Sequence, residues 1–79
     1  MHPYQREILT SALEGRDREL IEYQVNIDNY RLALTKIADD DEELQPFREQ
    51  LQNLLSSSLL EQRKSQIIRD VIAEQLADQ

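Results

Sequence analysis

The chain has 79 residues, 39% hydrophobic and 32% charged, with a formal net charge of −7. That length allows one domain with little interior, so regular helix packing or self-association has to supply stability. The lack of cysteine excludes a disulfide framework and thiolate chemistry, and no apolar run approaches the roughly eighteen residues of a membrane span.

One Gly, two Pro and an abundance of Leu, Ile, Glu, Gln and Arg give the profile of long helices. Pro3 suits an opening helical turn, where its missing N–H has no partner to lose, and predicts a first helix over about residues 3–38. Tyr4, Ile8, Leu9, Ala12 and Leu13 recur at helical spacing. From Leu13 onward, Leu20, Tyr23, Ile27, Tyr30, Leu34 and Ile37 continue in alternating three- and four-residue steps, interrupted only by Arg16. This is an a/d seam, one narrow face that another helix must cover. Gly15 is either a tolerated glycine costing about 1 kcal/mol against Ala or a break after which Asp17 restarts the helix. Continuity is preferred, because the register runs from Leu9 and Leu13 to Leu20 and sets Glu14 and Arg18 one turn apart.

Asp39, Asp40, Asp41, Glu42 and Glu43 follow without a base, and they carry −5 of the −7 charge. Mutual repulsion ends the first helix there, while carboxylates favour the start of the next. A tight acidic turn between two helical patterns predicts an antiparallel hairpin. Because the acidity is a loop and not an extended face, a nucleic-acid mimic is not expected.

The second helix is predicted over about residues 44–77, with Pro46 in its first turn. Leu44, Phe47, Leu51 and Leu54 continue a three/four spacing and predict a seam matching Tyr30, Leu34 and Ile37. At Ser56-Ser57-Ser58 that seam fails. Either a third helix begins there, Ser58-Leu59-Leu60-Glu61 reading as a capping box, or small residues let another helix approach closely. Ile67, Ile68, Val71, Ile72 and Leu76 then form an apolar face broader than a two-helix seam requires. The uncapped end at Gln79 is expected to fray.

The expected fold is all-α, a single antiparallel helical-hairpin domain over residues 1–79 that dimerises into a four-helix bundle or coiled coil. Breaks at Gly15 and at Ser56–Ser58 would give instead a compact monomer of three or four shorter helices. Ile21, Val25 and Leu32 occupy b and f positions of the first helix, away from the seam. A simple hairpin leaves them in water, and contiguous exposed apolar patches usually mark interfaces. The predicted protein-binding residues are therefore Ile21, Val25, Leu32, Ile67, Ile68, Val71, Ile72 and Leu76, and the expected partners are a second copy of the chain and another protein.

Other chemistries fit poorly. Tyr23 and Tyr30 at d positions suit core packing with hydroxyls at the rim better than base stacking. The run from Asp39 to Glu43 lacks the alternation and the glycine of a calcium loop. His2 is the only histidine, so no histidine triad or paired metal site can form within one chain. Glu14, Glu22, Glu49, Glu61 and Glu74 read as solubilising helix charge, and so short a chain has little room for a pocket. No catalysis, cofactor, metal, small-molecule substrate or membrane contact is expected, and the compartment predicted is the cytoplasm. Arg63, Lys64 and Arg69 form the one basic cluster, small for phosphate binding on a chain negative in every part.

The reading is thus a small non-enzymatic interaction module, an adaptor, assembly factor or regulator of the kind common among phage and bacterial accessory proteins. In architecture, two helices joined by the acidic turn Ala38-Asp39-Asp40-Asp41-Glu42-Glu43, the chain also resembles the plasmid copy-control hairpin proteins of the Rop type. That resemblance covers topology and turn composition, and it implies an RNA-binding hairpin dimer as the alternative. No RNA-contacting residue carries over, since Arg6, Arg16, Arg18 and Arg31 are interleaved with Glu7, Glu14, Asp17, Glu19 and Asp28.

Overall fold

The computed structural model describes residues 2–78; the expectation of fraying at Gln79 lies outside them. Two helices, α1 (Pro3–Thr35) and α2 (Gln45–Ala77), pack along each other as a rod of 60 × 14 × 14 Å. Each has 33 residues, or about 50 Å at 1.5 Å per residue, so the helices run the length of the molecule. Among the described residues there is no strand.

Both helices are unbroken. α1 passes through Gly15, where an added Cβ would meet nothing within 4 Å, and α2 passes through Ser56-Ser57-Ser58. The compact arrangement of shorter helices is therefore excluded, and the serines sit within a helix instead of starting one.

The helix ends follow from local hydrogen bonding. At the start of α1, His2 Nδ1 accepts from the Tyr4 N–H at 3.2 Å, and Gln5 Oε1 accepts from the His2 N–H at 3.0 Å. Two amides that lack a partner within the helix are thus capped reciprocally, and the His2 and Tyr4 rings stack with centroids 5.1 Å apart. Surface pairing within α1 runs Arg18 to Glu22 at 3.5 Å, forward from Arg18, where the sequence spacing suggested Glu14.

α1 stops at Thr35, short of Ala38, because its last turn tightens. The Lys36 and Ile37 amides donate to the Ala33 and Leu34 carbonyls at 3.0 and 3.4 Å, and Thr35 Oγ1 donates to the Leu32 carbonyl at 2.6 Å. The carbonyls beyond the helix are capped from α2. Arg48 Nη2 donates to the Ile37 and Ala38 oxygens at 3.1 and 2.7 Å, and its Nη1 reaches Asp39 Oδ1 at 3.2 Å. One acid of the turn prepares the next helix, as Asp41 Oδ1 accepts from the Leu44 N–H at 3.2 Å, with Pro46 following in the first turn of α2.

Three cross-helix hydrogen bonds fix the antiparallel register: Gln62 to Gln24 at 2.9 Å, Ser65 to Glu19 at 3.1 Å and Arg69 to Asp17 at 2.9 Å. The covered face of α1 is the predicted seam, extended to Leu9 and including Arg16. That of α2 is Arg48, Leu51, Leu55, Ser58, Gln62, Ser65, Arg69, Ile72 and Leu76, an unbroken three/four series of buried or half-buried residues. It corrects the sequence reading, since Leu44, Phe47 and Leu54 are exposed and only Leu51 of that set is buried. The apolar spacing misleads because the true seam carries serine, glutamine and arginine. Those residues are tolerable there because α1 supplies partners for them.

The register places Leu34 opposite Leu51, Tyr30 opposite Leu55, Ile27 opposite Ser58 and Leu20 opposite Ser65. Large side chains thus face small ones along the middle of the rod. Ile27, 1% exposed, is the most completely buried apolar residue, and covering it stabilises the pairing by about 1.5–3 kcal/mol. Ile37, Leu51 and Ile72 complete the buried apolar set among the described residues.

Candidate interaction surfaces

A two-helix rod buries one stripe of each helix and leaves the rest to solvent. On the outer side of α1, Ile21, Val25 and Leu32 are 65%, 53% and 59% exposed. They follow one another at helical spacing on the side away from α2, and Tyr4 and Ile8 extend the exposed apolar surface toward the N-terminus.

On α2 the predicted residues divide. Ile67, Ile68 and Val71 are exposed, whereas Ile72 is buried and Leu76 half-buried in the seam against α1. The broad C-terminal face is therefore shared between the intramolecular seam and solvent. Sequence reasoning missed a second grouping. Phe47 and Leu54, assigned by spacing to the seam, join Ile68 and Val71 along one flank of α2, with Leu44 at the cap just before the helix, all between 40% and 49% exposed. The available signal was the competing three/four series through Leu51, Leu55 and Ile72, which leaves those residues beside the seam.

Between the apolar ends of the rod lies a belt of polar contacts. Glu19 accepts from Arg16 at 3.0 Å, from the Tyr23 hydroxyl at 3.2 Å and from Ser65, itself 3% exposed, at 3.1 Å. Partial burial raises the Tyr23 pKa above its ordinary value, and the hydrogen bond and negative charge of Glu19 add to the rise. Arg69 is held between Asp17 and Asp70, at 2.9 and 3.7 Å. Its pKa is raised by the Asp17 hydrogen bond first and by that carboxylate's charge second. These contacts join the helices, and the belt has the composition of a structural clamp.

The basic cluster is largely neutralised where it stands. Lys64 pairs with Glu61 at 3.1 Å and Arg69 with Asp17. Among the described residues no group of three or more His, Asp or Glu side chains is placed to hold a metal ion, and no helix is long and apolar enough to cross a membrane.

No protein-family model matches the chain, and no curated protein or solved structure matches it. The fold and its surfaces define an antiparallel helical hairpin with apolar outer faces.

Proposed function

We propose that the chain is a small non-enzymatic protein–protein interaction module, an adaptor, assembly factor or regulator that works by presenting helical faces. The observation that carries this reading is the outer face of α1, where Ile21, Val25 and Leu32 lie more than half exposed on the side away from α2. An apolar groove on another protein would read such a stripe through anchors one and then two helical turns apart. The stripe is bordered by charges of both signs, Glu22 paired with Arg18 at 3.5 Å and Asp28 accepting from Gln24, so its apolar anchors and not its charge select the partner.

The test is affinity capture with the wild-type chain and with the Ile21→Asp, Leu32→Asp variant, followed by direct binding of each retained protein in purified form. Circular dichroism should show unchanged helicity, since both sites are solvent-facing. A purified protein that binds the wild-type chain at least tenfold more tightly than the variant supports the reading. Equal binding of every retained protein to both chains overturns it for this face. Ile27→Asp is the contrasting control, because an unpaired charge in the seam unfolds the hairpin.

A further inference from the structure

We infer that a second copy of this chain seats on the α2 flank formed by Leu44, Phe47, Leu54, Ile68 and Val71. The two α2 helices run antiparallel, with Ser57 and Ser58 at the two-fold axis. The inference rests on the interaction-module reading and names the partner of a different face.

The accessible area is the first ground. The hairpin exposes 6042 Å², whereas a compact monomer of 9.3 kDa exposes about 5,000 Å² by the usual mass scaling. The rod therefore leaves about 1,000 Å² more surface in water than a compact chain of its mass, spread over all its outer faces, while a standard stable interface buries roughly 800 Å² from each partner. One further rod laid alongside is an occupant of the matching length.

Self-complementarity is the second ground. A two-fold interface demands a surface that maps onto itself when reversed. Leu44, Phe47, Leu54, Glu61, Ile68 and Val71 stand at steps of three, seven, seven, seven and three residues, a spacing that reads the same in both directions. Reversal about the midpoint between Ser57 and Ser58 sets Leu44 against the copy's Val71 and Phe47 against its Ile68. Large apolar pairs thus fall at both ends and the exposed Ser57 at the centre, Ser58 being half-buried in the seam against α1. Leu54 meets Glu61, whose carboxylate is turned to Lys64 at 3.1 Å, so its aliphatic stem can lie on the leucine.

The other edge of the interface carries Asp17, Gln24, Gln62 and Arg69, already joined to one another across the helices, and offers no comparable apolar row.

The experiment is light scattering on a sizing column over a concentration series, using the full chain. The wild type should give twice 9.3 kDa and the Phe47→Asp, Ile68→Asp variant the monomer mass with helicity retained. Should that variant lose helicity, Leu54→Lys replaces it with the same expectation. Because the chain has no cysteine, a short bismaleimide should link Ser57→Cys chains into covalent pairs and leave Ser11→Cys chains, placed on the outer face of α1, unlinked. A monomeric wild type at every concentration overturns the inference while leaving the α1 capture experiment to decide the broader reading. A dimer indifferent to both flank variants, or one that links through Ser11→Cys and not Ser57→Cys, also overturns it.

Discussion

Ser65 and Glu19 form a hydrogen bond of 3.1 Å across the helix pair, at one of the most deeply buried positions of the chain. A hydroxyl there serves two ends: it is small enough to sit opposite Leu20, and it donates to a carboxylate that Arg16 and Tyr23 already hold.

Size is the more demanding requirement. Ser65→Ala removes one hydrogen bond and leaves Glu19 with two partners, so it should cost about 1 kcal/mol. Ser65→Leu should cost about 1–3 kcal/mol through overpacking against Leu20, although it adds apolar area. Urea denaturation of the two variants checks the order, and a leucine variant more stable than the alanine one would contradict the close approach.

Arg48 closes the turn by donating to two carbonyls beyond α1 and to Asp39. Its Nε is buried without a partner among the described residues, so the guanidinium is held for what its other nitrogens reach. Arg48→Ala should destabilise the hairpin by about 1.5–3 kcal/mol, as expected for hydrogen bonds from a charged group. Arg48→Lys should recover less than half of that, because one ammonium cannot span the same forked set. Thermal unfolding of the three proteins gives the comparison.

Gly15 stands mid-helix with open space around it. Gly15→Ala should therefore raise stability by about 1 kcal/mol, through helix propensity and a less free unfolded chain. A loss of stability on denaturant unfolding would mean that the backbone there is not held as a plain helix.

Tyr23 supplies a pH dependence. Its folded pKa lies above the unfolded value near 10.0, so the folded state holds the phenolic proton more tightly. The resulting stability is complete below the unfolded pKa and is lost as pH rises through the folded one. Stability measured from pH 9 upward should fall in the wild type more than in Tyr23→Phe, the difference isolating Tyr23 from the lysines both proteins share.

The sequence made the α1 seam legible because its residues from Leu20 to Ile37 are apolar and strictly periodic. Continuity through Gly15 was legible for the same reason. The α2 seam was not, because serines, a glutamine and arginines occupy it, and their suitability depends on Glu19, Gln24 and Asp17 of the other helix. A single-helix pattern weighs only hydrophobicity, so it rotated α2 toward Phe47 and Leu54. The end of α1 at Thr35 was equally hidden, because the Ile37 and Ala38 carbonyls that follow the tightened last turn are held by Arg48 from across the turn. Among the surface candidates, Ile21, Val25 and Leu32 could be placed from the α1 register alone, whereas Ile72 and Leu76 could be separated from Ile67 and Val71 only once the α2 register was known.

The polar belt also divides the rod along its length. Toward the turn, Ile27, Leu34, Ile37 and Leu51 are enclosed and the chain is continuous. Beyond the belt, away from the turn, Leu9, Leu13, Ile72 and Leu76 continue the seam as half-buried or buried residues. Separating the helices on that side disrupts few buried contacts, whereas separating them across the belt must break the Glu19 and Asp17 clamps together. Amide hydrogen exchange should accordingly show two tiers, fast on the side of the belt away from the turn and slow between the belt and the turn.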